Sequence, residues 1–248
     1  MNSRFSKAFY LKQRLQKNYP LKRKYKSVIP LKIFQTWHTK NLPPNMSKAV
    51  EIVKRVNPAF QHHLFDDDDC REYIKNNFPE VVLEAFDGLI PGAYKADLWR
   101  YCVLYKEGGI YVDIKYIPHN GFRFINLTER EYFVLDADRA GVYNALMVCK
   151  PGNEILFKAI NSIVRNVKIK YYGDSILDPT GPKLLAKFFS YFQKRLFALK
   201  HETYNTDKYI DFNNIIILKM YPNYYKEMGD NEKTEHYSVL WGQRRIYK

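Results

Sequence analysis

Residues 94–113 limit the fold more than any other part of the chain. The stretch from Tyr94 to Lys106 reads as one helix, with Tyr94, Leu98, Trp99, Tyr101, Val103 and Leu104 spread over most of its circumference. A helix apolar on so many sides belongs inside a protein. Gly108-Gly109 stops it, as glycine does at a helix C-terminus. Ile110-Tyr111-Val112 follows as a short strand with no polar position, and the strand ends on Asp113. In an open α/β sheet, ligands bind beyond the carboxyl ends of the strands, so Asp113 is a site candidate by placement alone.

Strand-like and helix-like segments alternate through the rest of the chain, which predicts an α/β layer fold. Strands are expected at 28–37, 60–65, 110–112, 131–135, 146–149 and 215–218. Helices are expected at 47–56, 69–77, 94–106 and 153–168. A further helix opens at Pro182 and carries Leu185, Phe188, Phe189 and Phe192. At 248 residues one domain is the expectation, with 29–248 as its body and 1–28 as a basic extension.

Charge narrows the partners. The chain carries a net +14, and residues 1–28 hold basic residues and no acid. That favours anionic partners and leaves two readings of the extension. One is contact with an anionic membrane surface. The other is a helix docked on the body through Phe5, Phe9 and Leu15. Nucleic acid is disfavoured, because the basic residues are dispersed and no nucleic-acid motif is present. Cys70, Cys102 and Cys149 are odd in number and widely spaced, as expected of buried thiols in the cytoplasm or another reducing compartment. No apolar run is long enough to span a bilayer and no secretory signal is evident, so a soluble chain is expected.

Several polar residues stand out. Asp97 and Arg100 are three apart and share a helix face, where a carboxylate and a guanidinium can grip sugar hydroxyls from both sides. Asp66-Asp67-Asp68-Asp69 reads as a helix cap. Asp136-Ala137-Asp138 ends a strand, and Asp138 is assigned to the site. Thr180-Gly181-Pro182 reads as a plain helix start.

Three ordered blocks carry a resemblance. Ile29-Pro30-Leu31-Lys32-Ile33-Phe34-Gln35-Thr36-Trp37, Ala96-Asp97-Leu98-Trp99-Arg100-Tyr101 and Gly108-Gly109-Ile110-Tyr111-Val112-Asp113 resemble the glycosyltransferases with a DXD-containing sugar-binding region. These are family 32 type enzymes, similar to yeast initiation mannosyltransferases and α-1,4-galactosyltransferases and more distantly to clostridial toxin glucosyltransferases. The resemblance covers residues 29–150 best. It implies a GT-A-type domain, a Rossmann-like mixed central sheet flanked by helices. It also implies a retaining hexosyltransferase that uses a UDP-sugar, with a GDP-sugar second, and a glycan, protein or lipid acceptor. An oxocarbenium-like species on the face that the diphosphate leaves is the implied course.

Residue by residue, the resemblance places Trp37 on the nucleobase, with Gln35 and Thr36 beside it. Asp97 and Arg100 hold the donor sugar, Tyr111 lines its pocket, and Asn144 lies close to it. Asp113 opens the DXD motif. His236-Tyr237-Ser238-Val239-Leu240-Trp241 resembles the closing segment of the family. There Trp241 offers its indole N–H to the leaving oxygen, and His236 joins Asp113 as a candidate ligand of Mn²⁺ or Mg²⁺.

The motif departs at one position, because Asp113-Ile114-Lys115 stands where Asp-x-Asp is expected. Lysine cannot ligate a hard divalent cation. Either Asp113 holds a metal with other ligands, or Lys115 supplies the positive charge, or Lys115 points away. Strand alternation, which puts residues 113 and 115 on one face, argues against the last. A nucleotide-sugar-binding protein with little turnover is the competing reading, and a basic nucleic-acid-binding protein is a third.

Overall fold

The computed structural model describes residues 10–20, 22, 24–231 and 235–248. Its centre is the predicted helix–Gly-Gly–strand unit. The elements before it are β1 (Lys32–Thr36), α1 (Pro44–Val56), β2 (Gln61–Phe65), α2 (Asp67–Asn77) and α3 (Glu80–Gly88). Helix α4 spans Gly92–Glu107 and buries residues all round its circumference. Gly108 ends it at φ +63°, its N–H donating to the Leu104 carbonyl at 2.9 Å. Strand β3 (Gly109–Val112) follows with every residue buried. Gly109 is required there. It sits at φ +108°, and a Cβ would stand 2.8 Å from the Lys32 carbonyl oxygen of β1.

The remaining elements are β4 (Tyr116–Pro118), β5 (Tyr132–Leu135), β6 (Val142–Cys149), α5 (Glu154–Lys168), α6 (Pro182–Ala186), α7 (Tyr191–Arg195), β7 (Leu199–Tyr204), β8 (Asp207–Phe212), β9 (Ile215–Met220), α8 (Tyr224–Asp230) and α9 (Tyr237–Gly242). Among the described residues they form one nine-stranded mixed sheet, in the order β2-β1-β3-β6-β5-β7-β8-β9-β4. Strands β1, β2 and β3 run parallel, and β6 runs against β3 with Tyr111 opposite Met147. One face packs under α4 and α5, around Trp99, Tyr101, Leu156 and Ile160. The other holds Ile33, Ile110, Leu146, Phe124 and Leu218. Fully burying each such side chain contributes roughly 1.5–3 kcal/mol.

Local chemistry explains most boundaries. Asp66 caps α2 by accepting from the Asp69 N–H at 2.9 Å, and Asp69 returns the bond to the Asp66 N–H at 3.1 Å. Most of the acidic run is thus a helix start. The helix expected to continue from Pro182 through Phe192 breaks after Ala186. Ser190 and Gln193 form a second capping box and start α7 afresh, which leaves Phe192 76% exposed. Residues 10–20 lie on the body. Leu11 and Leu15 pack with Tyr209 and Ile216, and Tyr19 meets Phe122 and Phe212 at 5.1 and 5.9 Å. Arg14 is bonded to buried Asp211 at 2.8 Å. Docking through Leu15 is therefore present, while Phe5 and Phe9 lie outside the described residues. No helix among the described residues is long and apolar enough to cross a membrane. The three cysteines are buried and free.

Candidate active site

A cavity of about 540 Å³ opens at the carboxyl ends of β1 and β3, where parallel strands leave room for a ligand. Helix α4 brings Asp97 and Arg100 to it, the turn after β3 brings Asp113 and Lys115, and β1 runs out into Trp37. The C-terminal segment closes one side with His236 and Tyr237.

Arg100 organises the floor. Its Nη1 donates to Asp113 Oδ1 at 3.2 Å and to the Asn144 carbonyl at 3.0 Å, and its Nη2 lies 3.5 Å from Asp97 Oδ1. The guanidinium stacks 4.3 Å over the Tyr111 ring, whose hydroxyl donates to Asp113 Oδ1 at 2.7 Å. Asp97 accepts from Asn144 Nδ2 at 2.9 Å and from the Thr180 hydroxyl at 2.8 Å. Burial pushes the Asp97 carboxyl above its usual range in spite of Arg100 and those two hydrogen bonds. Burial would do the same to Asp113, but the charges of Lys115 and Arg100 hold it below the usual carboxylate range. Burial thus works against a charge at position 97.

Lys115 reaches Asp113 through a turn and not along a strand. The Tyr116 N–H donates to the Asp113 carbonyl at 3.0 Å, and this reversal sets the Lys115 ammonium against Asp113 Oδ2. The two side chains do face the same way, for a different reason from strand alternation. Burial would lower the ammonium's pKa, and Asp113 raises it above the ordinary lysine value.

Thr36, Trp37, Asp97, Arg100, Tyr111, Asp113, Lys115, Asn144 and His236 are brought together around the cavity. The Trp37 indole N–H is buried without a partner among the described residues. Three assigned residues are placed elsewhere. Gln35 is fully buried in the sheet, where its Oε1 lies 2.8 Å from His62 Nε2. Asp138 sits in the β5–β6 turn, accepting from the Ala140 and Gly141 N–H groups and paired with Lys183. Trp241 donates its indole N–H to the Tyr172 carbonyl at 2.8 Å, so that proton is committed within the protein.

The donor set does not suit a divalent cation. Among the described residues no three His, Cys, Asp or Glu side chains are grouped to hold a metal. Asp113 is shared by an ammonium and a guanidinium, and His236 turns its Nδ1 to the Ser238 hydroxyl at 2.7 Å. A hard cation wants oxygen ligands free of competing positive charge.

Two polar partners at or behind the cavity were not expected from the sequence. Thr180 is fully buried and holds Asp97, so its segment does more than start a helix. His201 of β7 lines the cavity opposite α4, with Nδ1 2.8 Å from Asp136 Oδ1 and its ring stacked on Tyr143 at 3.8 Å. Burial lowers its pKa against the pull of Asp136. In the neutral ring with Nδ1–H given to Asp136, Nε2 is left as an acceptor, and it is buried with no partner among the described residues. The polar pair Asp136–His201 therefore stands where Asp138 was assigned.

Residues 43–134 match the family described as glycosyltransferase sugar-binding region containing DXD motif. Inositol phosphoceramide mannosyltransferase 3 of Schizosaccharomyces pombe is 26% identical over 181 residues, 71% of this chain and 49% of that protein. Inositol phosphoceramide mannosyltransferase 2 of the same yeast is 29% identical over 174 residues, 68% of this chain and 48% of that protein. The chain spans about half the length of these curated relatives. Among solved structures, PaToxG glycosyltransferase superimposes with a TM-score of 0.52 at 16% identity, covering 74% of this chain and 76% of that one. That likeness identifies the mixed sheet and its flanking helices as a GT-A-type fold. Through residues 43–134 the chain is similar to the glycosyltransferases that carry a DXD-containing sugar-binding region.

Proposed function

We propose that the cavity binds a nucleotide-diphosphate sugar and that the protein transfers the hexose to an acceptor hydroxyl. The observation that carries this reading is the buried Asp97–Arg100–Asp113 set, which places acceptors and donors of hydrogen bonds side by side on a concave floor. A sugar ring offers hydroxyls that do both. Trp37, which lines the cavity, supplies a flat face for the nucleobase. Because the two named relatives are mannosyltransferases, mannose is the hexose proposed, carried on guanosine or uridine diphosphate.

In the transfer, the bond between the anomeric carbon and the diphosphate oxygen breaks and the acceptor oxygen bonds that carbon. The acceptor's proton passes to the departing diphosphate, with retention of configuration as the expected outcome. Asp97 and Arg100 fix the ring, and His201 lines the cavity where the acceptor would enter.

The test is incubation of the purified protein with UDP- and GDP-hexoses and a methyl α-mannoside probe. Products are followed by mass spectrometry and donor binding by calorimetry. Transfer or donor hydrolysis by the wild type, lost in Asp97→Ala, supports the reading. Tight binding without either points to a sugar-nucleotide-binding protein, and no binding of any nucleotide sugar ends the proposal.

A further inference from the structure

The DXD motif of this chain lacks its second acid, and the structure shows what stands there. Lys115 is largely buried, faces the cavity, and has its ammonium on Asp113 Oδ2, with the Tyr116 and Tyr143 rings 5.4 and 5.6 Å away. An ammonium has three N–H donors. One is given to Asp113, and no other hydrogen bond from Lys115 is made among the described residues. The geometry is that of a fixed cation with donors in reserve.

Charge makes the same point. Replacing a carboxylate by an ammonium moves the local charge by two positive units, which is the charge a divalent cation brings. The formal charges of Asp97, Arg100, Asp113 and Lys115, which meet on the cavity floor, cancel without any ion. The same site with aspartate at 115 needs a divalent cation to reach that balance. A metal bound to Asp113 here would lie beside an ammonium and share its ligand with a guanidinium.

We propose that Lys115 takes the place of the divalent cation, so that the donor's diphosphate binds this site without a metal and meets its positive charge in the Lys115 side chain. This rests on the reading that the cavity holds a nucleotide-diphosphate sugar. It makes Lys115 a direct ligand of the diphosphate oxygens and Asp113 the group that orients it.

The experiment is calorimetric titration of the full chain with UDP and with GDP, in EDTA and in Mn²⁺. It uses the wild type, Lys115→Asp and Lys115→Met, each checked for folding by its thermal transition. One nucleotide is expected to bind wild type with affinities within about threefold in the two buffers. A hydrogen bond to a charged group corresponds to roughly a 10- to 100-fold change in affinity. Lys115→Met is expected to lose that much in both buffers. Lys115→Asp is expected to lose it in EDTA and recover it in Mn²⁺, because the substitution restores the acid pair. Wild-type binding that disappears in EDTA overturns the proposal and leaves the donor reading intact. Affinity unchanged in both variants overturns it as well. Failure of wild type to bind either nucleotide in both buffers overturns the donor reading together with it.

Discussion

Asp97→Asn separates structure from function at the centre of the site. The substitution keeps the shape of the side chain and removes its charge. Asparagine at 97 keeps Oδ1 toward Asn144 Nδ2, now 2.9 Å away, and turns its amide toward the Thr180 hydroxyl at 2.8 Å. That hydroxyl rotates from donor to acceptor, so both hydrogen bonds survive. Arg100 is not orphaned, since it keeps Asp113 at 3.2 Å and the Asn144 carbonyl at 3.0 Å. Removing one partner of a buried pair costs about 3–5 kcal/mol when the other is left alone, and here it is not. The sign of the Asp97 shift matters too. A carboxyl whose pKa is raised by folding destabilises the fold once pH rises above its unfolded value, so losing the charge relieves a penalty.

The expected change in unfolding free energy at pH 7 is therefore under about 1 kcal/mol in either direction. Donor binding is different. A sugar hydroxyl bonded to the carboxylate loses roughly 1.5–3 kcal/mol, about 10- to 150-fold in affinity. Urea denaturation gives the first quantity. Calorimetry with a nucleotide sugar and with the bare nucleoside diphosphate gives the second, and only the sugar-bearing ligand should weaken. A variant destabilised by more than about 3 kcal/mol that still binds the nucleotide sugar like wild type would refute the reasoning and make Asp97 a structural partner of Arg100.

Three further outcomes are expected. His201→Phe keeps the stack on Tyr143 and removes the bond to Asp136 on the cavity wall, so donor binding should hold while transfer to the mannoside probe, relative to donor hydrolysis, falls up to about tenfold; an unchanged ratio removes His201 from the acceptor side. Burial lowers the His62 pKa from 6.5 to about 4, so the unfolded chain takes the proton first and stability falls as pH drops from 6.5 toward 4. The loss reaches about 3 kcal/mol and should be missing in His62→Gln, so a His62→Gln variant that melts with the wild-type pH profile would contradict it. Gly109→Ala should cost at least about 1–3 kcal/mol in urea, because of φ +108° and the Lys32 carbonyl 2.8 Å from the new Cβ. Gly92→Ala meets nothing within 4 Å and should be neutral or slightly stabilising, so equal losses at the two glycines would contradict the steric account.

The parts of the fold legible in the sequence are those where one signal dominates. The α4–Gly108-Gly109–β3 unit has apolar residues all round, a glycine stop and a strand with no polar position, and it lies where expected. The α2 cap was legible because four aspartates at a helix start satisfy N–H groups in only a few ways. The β7–β8 hairpin gave no such signal. Its strands read Leu-Lys-His-Glu-Thr-Tyr and Asp-Lys-Tyr-Ile-Asp-Phe, and Asp211 and His201 are buried only because Arg14 and Asp136 meet them. Periodicity cannot anticipate a partner almost two hundred residues away. The break between α6 and α7 was readable, since Ser190-x-x-Gln193 is a capping box, but the phenylalanine spacing across it hid the stop.

The site divides along the same line. Asp97, Arg100 and Asp113 lie within seventeen residues of one another on a helix and the strand it feeds, so their convergence follows from a single local unit. Asp136 and Asp138 could not be separated that way. The chain leaves β5 at Leu135 and turns, and in that turn Asp138 serves the backbone of Ala140 and Gly141 while Asp136 is turned to His201. His201 and Thr180 come from segments that share no motif with the donor blocks, and each becomes a site residue only when the sheet order puts β7 beside β5 or packs α6 against β6. Lys115 is the opposite case. Its departure from the motif was plain in the sequence, but its meaning depended on a turn that brings the ammonium back onto Asp113. Had the chain continued straight, the lysine would have shared a face with Asp113 at strand spacing. The turn makes it a partner of that carboxylate, and a partner with donors left over is what a diphosphate requires.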